Sequence, residues 1–245
     1  SEELARRGVA SLRFDKRGVG GSQGTYLTTG FHDETADAGA ALAALGGALP
    51  SAGLVVTGHS VGATLAMRLA ARAKLSGVVL LAGAARRGAD VMRAQSAKLA
   101  ETLNGPSRLL GPALRLRQAI ARRRLERSTE DVLRVGGADL PARWFREYMA
   151  HDPVDDLRAI RCPVLAITGA DDVQVEPSDV GRIGAAIDAP FTGETPTGIS
   201  HLLRRTCGAP GLASYAAEMR SPPDPGVLAR VCDWIEAEAR GTDRV

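Results

Sequence analysis

Gly58-His59-Ser60-Val61-Gly62 sits between an apolar run, Leu54-Val55-Val56-Thr57, and a segment with helical patterning from about Ala63 to Ala73. A G-x-S-x-G in that context has a mechanism. The serine occupies a sharp strand-to-helix turn, the flanking glycines let neighbouring backbone pass without meeting a Cβ, and the hydroxyl is pushed out at the end of the strand. The helix that follows turns its N-terminal amides toward any oxyanion formed there, the backbone N–H of Val61 first among them. Ser60 is therefore the candidate nucleophile.

A second match, Gly20-Gly21-Ser22-Gln23-Gly24, serves as an internal control. It lies several residues beyond the strand-like Val9–Phe14, inside a Gly-rich loop. Thr25, Tyr26, Leu27, Thr28, Thr29 and Gly30 follow it and do not read as the start of a helix. Ser22 lacks the strand-then-helix context that gives Ser60 its chemistry.

The strand-like runs Val9–Phe14, Leu54–Thr57, Val78–Leu81, Val164–Thr168 and a weaker one at Phe191–Thr197 alternate with helical segments. That alternation predicts an α/β fold with a mostly parallel sheet flanked by helices. A helix is expected from about His32 to Leu45, opened by Asp33 and Glu34, whose charge suits a helix N-terminus. An amphipathic terminal helix is expected over Val227–Ala239. The stretch Ala84–Arg161 is too long for a crossover loop. It holds helix-length patterns broken at Gly105-Pro106, Gly111-Pro112, Gly136-Gly137 and Pro141, with Ser128 placed as a helix N-cap. It reads as a helical lid inserted at about 86–158 into one domain spanning 1–245.

Bulk properties exclude several classes. The chain has 245 residues, 44% hydrophobic and 24% charged, as for an ordinary globular protein. No apolar run approaches a membrane span. Three cysteines, Cys162, Cys207 and Cys232, are odd in number and widely spaced, which argues against a disulfide framework and for a reducing, cytoplasmic compartment. No C-x-x-C or H-E-x-x-H is present, so no metal or other cofactor is expected. The net charge of +3 is local: Arg115, Arg117, Arg122, Arg123, Arg124 and Arg127 crowd one short stretch. They read as the solvated face of a helix or as a site for an anionic partner such as phospholipid, acyl carrier or nucleic acid. No aromatic residues are interleaved with them, which argues against nucleic acid.

A serine hydroxyl needs a base, and the base an orienting carboxylate. Of four histidines, His59 adjoins Ser60 and belongs beside the substrate, His32 begins a helix, and His151 opens the helix-ending His151-Asp152-Pro153. His201, in Gly198-Ile199-Ser200-His201, falls in a loop after the last strand-like run, where open α/β sheets place their chemistry. The acid comes from Gly169-Ala170-Asp171-Asp172, after Val164–Thr168; the spacing leaves Asp171 and Asp172 open.

Taken together, these motifs resemble those of α/β-hydrolase-fold serine esterases, nearest the dienelactone-hydrolase-like and serine-aminopeptidase-like branches. Phe14-Asp15-Lys16-Arg17-Gly18-Val19-Gly20-Gly21-Ser22 is similar to the loop after the family's fourth strand, and Gly58–Gly62 to its nucleophile elbow. Cys162-Pro163-Val164-Leu165 through Gly169-x-x-Asp172-x-Gln174-Val175 is similar to its acid strand, which favours Asp172. His201-Leu202-Leu203 and Asp233-Trp234-Ile235 are similar to its histidine loop and last helix. The resemblance implies hydrolysis of a small-molecule acyl substrate through an acyl-enzyme on Ser60, with His201 as base and Asp172 as its partner. Peptidase, acyltransferase and non-catalytic binding roles remain as alternatives. It also implies that the family's first strands precede Ser1, about 40–80 residues by usual strand and loop lengths. In the lid, Trp144, Phe145 and Tyr148 cluster at helical spacing, either as an anchor or as the wall of a substrate pocket.

Overall fold

The computed structural model describes residues 1–101, 111–208 and 211–240. In chain order the elements are α1 (Glu2–Arg6), a short 3-10 turn (Tyr26–Thr28), α2 (Phe31–Ala48), β1 (Val55–His59), α3 (Val61–Ala70), β2 (Gly77–Leu81), α4 (Gly88–Glu101) and α5 (Gly111–Arg127). They continue with β3 (Val132–Val135), β4 (Ala138–Pro141), α6 (Ala142–Ala150), α7 (Val154–Ala159), β5 (Val164–Ile167), α8 (Asp179–Ala186), β6 (Phe191–Glu194), α9 (Leu212–Glu218) and α10 (Pro225–Arg240). The chain divides into two compact units. The first comprises Ser1–Arg13, Gly39–Arg86 and Pro153–Val245, the second Phe14–Ala38 and Arg87–Asp152.

The first unit is built on a parallel sheet of order β1-β2-β5-β6. β2 and β5 read Gly-Val-Val-Leu-Leu and Val-Leu-Ala-Ile and are buried along their whole length, as strands covered on both faces must be. Alternate side chains feed two cores. Val78, Leu80, Val164 and Ala166 pack with Met67 of α3 and Ile183 of α8. On the other face Val79, Leu81, Leu165 and Ile167 meet Val231, Trp234 and Ile235 of α10. Asp179 at the start of α8 is fully buried and is held by Arg86 at 3.1 Å and Arg182 at 2.7 Å, which supplies the partners that a buried carboxylate requires.

Val9–Phe14 is not a strand, contrary to the sequence reading. The chain leaves α1 through a turn in which the Val9 N–H donates to the Leu4 carbonyl, and Val9–Arg13 then runs without a ladder. A groove of about 690 Å³ lies between these residues and β1, lined by Val9, Leu12, Leu49, Leu54, Val55 and Leu228 among others. A strand needs a neighbouring backbone within ladder distance, and across this groove Val9–Arg13 has none. β1 accordingly has a single neighbour, β2, among the described residues.

The second unit is not wholly helical. α4, α5 and α6 surround a small core of Ala89, Leu125, Ala142 and Met149. Between α5 and α6 the chain makes an antiparallel hairpin, β3–β4, with Val132 opposite Pro141 and Val135 opposite Ala138. Its turn is Gly136-Gly137, both at positive φ (61° and 89°), the conformation that the tight right-twisting hairpin turn demands. Ser128 therefore caps no helix. Its hydroxyl accepts the Glu130 N–H at 3.1 Å just after α5, and the chain continues into β3. Phe31 lies among Trp144, Tyr148 and His151, with Trp144 and Tyr148 stacked at 5.1 Å. The Gly105-Pro106 break expected from the sequence lies outside the described residues.

Candidate functional site

The site is assembled within the first unit from the carboxyl ends of β1, β5 and β6. At the end of β1 the chain must reverse within one residue to start α3. Ser60 does this at φ 56° and ψ −122°, one of three non-glycine residues with positive φ among those described. Strain of this kind is stored where function requires it. The turn is held by the Ser60 N–H donating to the Leu81 carbonyl at 2.8 Å and by the Ala63 N–H donating to the Ser60 carbonyl at 2.9 Å. A Cβ on Gly58 would lie 2.0 Å from the Gly62 carbonyl oxygen. This close approach explains the leading glycine of the motif. Gly58→Ala is expected to cost about 3 kcal/mol, a fall in Tm of about 6–12 °C by thermal unfolding, since both crowded atoms are backbone. A wild-type Tm would rule out the clash.

The loop after β5 carries the candidate acid and separates the two aspartates. Asp172 is 7% exposed. Its Oδ1 accepts the backbone N–H groups of Gln174 (2.7 Å) and Val175 (2.9 Å). Its Oδ2 lies 2.8 Å from Nδ1 of His201. Asp171 points elsewhere and accepts the Thr206 hydroxyl at 2.8 Å. The Asp171 N–H also donates to the Ile199 carbonyl, tying the acid loop to the histidine loop. Thr206 and the Gln174 and Val175 amides were given no role from the sequence. A recognisable signal existed in Asp-x-Gln-Val, because an aspartate followed by extended residues commonly accepts the amides two and three positions on.

His201, 4% exposed, completes the line: its Nε2 is 3.1 Å from Ser60 Oγ. With Nδ1–H donated to Asp172, Nε2 is left as the acceptor that a serine proton requires. His59, expected beside the substrate, donates its Nε2–H to the backbone carbonyl of His201 at 2.7 Å, with the two rings 4.9 Å apart. Desolvation lowers the pKa of His59 and outweighs the opposing hydrogen bond to the His201 carbonyl, so its neutral form is the one the fold favours. Near the acid loop, burial pushes the Tyr215 hydroxyl up to about 12, and it receives a hydrogen bond from the Gln174 side-chain amide at 3.3 Å.

The structure thus brings together Ser60, Asp172, His201 and His59, with Val61 as the first residue of α3. Trp144, Phe145 and Tyr148 lie in the second unit, where Trp144 packs on Phe145, Phe31 and Tyr148. His32 and His151 are also there, against Phe31. Ser22 sits in a loop with its hydroxyl donating to the Asp15 carbonyl at 2.6 Å. No helix of the described residues is long and apolar enough to cross a membrane.

A serine on a strand-to-helix turn, with a histidine and a carboxylate on loops after two further parallel strands, is the arrangement of the α/β-hydrolase class. Residues 1–194 match the family model described as serine aminopeptidase, S33, and the chain belongs to that family. It is 30% identical to Esterase EstD of Thermotoga maritima over 176 residues, 72% of this chain, and spans about two fifths (41%) of that relative's length. Among solved structures it resembles Est1E from Butyrivibrio proteoclasticus with ferulic acid bound (TM-score 0.56, 20% identity, covering 82% of this chain and 72% of that one). It also resembles a monoacylglycerol lipase from Paleococcus ferrophilus (TM-score 0.56, 17% identity, covering 97% and 87%). At such identities these two likenesses speak for the fold alone.

Proposed function

We propose that the protein is a serine hydrolase that cleaves a carboxylic ester or related acyl bond through a covalent acyl-enzyme. The observation that carries the reading is the unbroken line from Asp172 Oδ2 to His201 (2.8 Å) and from His201 to Ser60 Oγ (3.1 Å). Ser60 Oγ attacks the acyl carbon while His201 Nε2 takes the hydroxyl proton. Asp172 fixes the tautomer and stabilises the imidazolium that forms. His201 then returns the proton to the leaving alcohol. Water, deprotonated by the same nitrogen, attacks the acyl-enzyme, and Ser60 is regenerated as the acid departs. The backbone N–H of Val61 serves as one donor to the oxyanion. An ester rather than a peptide bond is favoured because the curated relative is named an esterase.

The direct test is labelling with a fluorophosphonate, which phosphonylates an activated serine. Labelling of the protein and of Ser22→Ala, with none on Ser60→Ala, is the expected result. Label retained on Ser60→Ala would remove the assignment.

A further inference from the structure

α5 carries the molecule's positive charge. It holds six arginines against one glutamate, a local +5 in a chain whose formal net charge is +3, so the rest of the chain is net negative. Several arginines elsewhere are paired with carboxylates: Arg7 with Asp233, Arg17 with Asp37, Arg86 with Asp179 and Arg143 with Asp33. Among the described residues, Arg115, Arg117, Arg122, Arg123, Arg124 and Arg127 form no ion pair between their side chains and a carboxylate. Six unpaired cations within four turns repel one another, at a cost that an anion on this surface would reverse.

The charges are also arranged. At 100° per residue, Ala113, Leu116, Arg117, Ile120, Arg123, Arg124 and Arg127 fall within an arc of about 120°. Every one of them is exposed, whereas Leu125 on the opposite side enters the small core of the second unit. The arc contains no acid. Its N-terminal half is apolar apart from Arg117, with Leu116 63% and Ile120 51% exposed, among the most exposed large aliphatic side chains described. Its C-terminal half is basic and borders a concavity of about 490 Å³ lined by Ile120, Arg123, Arg124 and Arg127 together with Ser128, Thr129, Leu133 and a single acid, Glu130.

From this arrangement we propose that the exposed face of α5 docks on an anionic phospholipid surface. Helices that lie in a bilayer interface pair apolar side chains, which sink among the acyl chains, with arginines that meet the phosphates. Leu116 and Ile120, one turn apart, supply the first element, and Arg117, Arg123, Arg124 and Arg127 the second. A nucleic acid would use the cations and have no use for the aliphatic pair, and the arc offers no aromatic ring on which a base could stack. The face shares no residue with Ser60, His201 and Asp172, so the proposal stands or falls independently of the hydrolase reading.

The test is co-sedimentation of the protein with vesicles of phosphatidylglycerol and phosphatidylcholine at about 3:7, against phosphatidylcholine alone. Binding is expected on the anionic vesicles only, and is expected to be lost in about 0.5 M salt, where the screening length falls to a few ångströms. The triple variant Arg117→Ser/Arg123→Ser/Arg124→Ser should lose about a hundredfold in affinity, taking about fivefold per arginine, while the corresponding triple lysine variant retains it. Leu116→Ser/Ile120→Ser should lose at least about tenfold. Because these side chains are exposed, each variant should keep the wild-type Tm and hydrolysis of a water-soluble ester. Absence of binding to anionic vesicles would overturn the proposal. So would binding unchanged in the triple serine variant, or equal binding to duplex DNA or polyglutamate that is indifferent to Leu116 and Ile120.

Discussion

Alanine at Ser60 is expected to lower ester turnover by about a millionfold, to the level set by the remaining binding and oxyanion groups. The serine oxygen is the only atom removed. In the proposed mechanism it is the acyl acceptor, and it lies 3.1 Å from the nitrogen that would deprotonate it. The fold should be almost unaffected. The backbone bonds that hold the turn, Ser60 N–H to Leu81 and Ala63 N–H to Ser60, do not involve the side chain. Serine and alanine also meet the same steric penalty at φ 56°. Thermal unfolding within a degree or two of wild type, together with absent turnover of a chromogenic ester, would establish the role. Ser22→Ala is the matched control: its hydroxyl donates to Asp15 in a loop, and turnover should not change. Activity in Ser60→Ala within tenfold of wild type would end the case for this nucleophile.

Asparagine at Asp172 is expected to cost about ten-thousandfold in kcat with little change in KM. The reason lies in the second oxygen. Oδ1 accepts two backbone N–H groups, from Gln174 and Val175, so in asparagine the carbonyl oxygen must stay on that side. The amide NH2 then replaces Oδ2 and faces His201 Nδ1, 2.8 Å away in the parent, with a donor. The imidazole answers by keeping its lone pair on Nδ1 and its proton on Nε2. Nε2 can no longer accept the proton of Ser60, and the shape of the site is preserved while its chemistry is not. Asp171→Asn provides the comparison. It touches only the Thr206 bond, and turnover should remain within a few-fold. Equal losses in both variants would mean that the loop, and not the charge on Asp172, was being tested.

The elbow and its two partners could be read from the sequence because each announces itself locally. Each follows a strand-like run, half-buried at β1, wholly buried at β5 and weakly apolar at β6, and position at the strand's carboxyl end is enough to find it. The choice between Asp171 and Asp172 could not be made from spacing alone, since it depends on which carboxylate accepts the Gln174 and Val175 amides, a tertiary outcome. Val9–Phe14 failed for the converse reason. Its apolar pattern suits a strand, but a strand exists only with a partner, and across the groove the ladder is not made. The hairpin β3–β4 is not expected from the sequence while Gly136-Gly137 reads only as a break between helices. Flanked by Val132, Val135 and Leu140, the same two glycines are a hairpin signal. His59 was placed near the right atoms, but its bond to the His201 carbonyl depends on how the loop after β6 folds back.

The free flank of β1 has a practical consequence. Among the described residues no second strand pairs with that flank, which lies by exposed Leu12, Leu49 and Leu228, so it is expected to offer a template on which strands of other polypeptides can add.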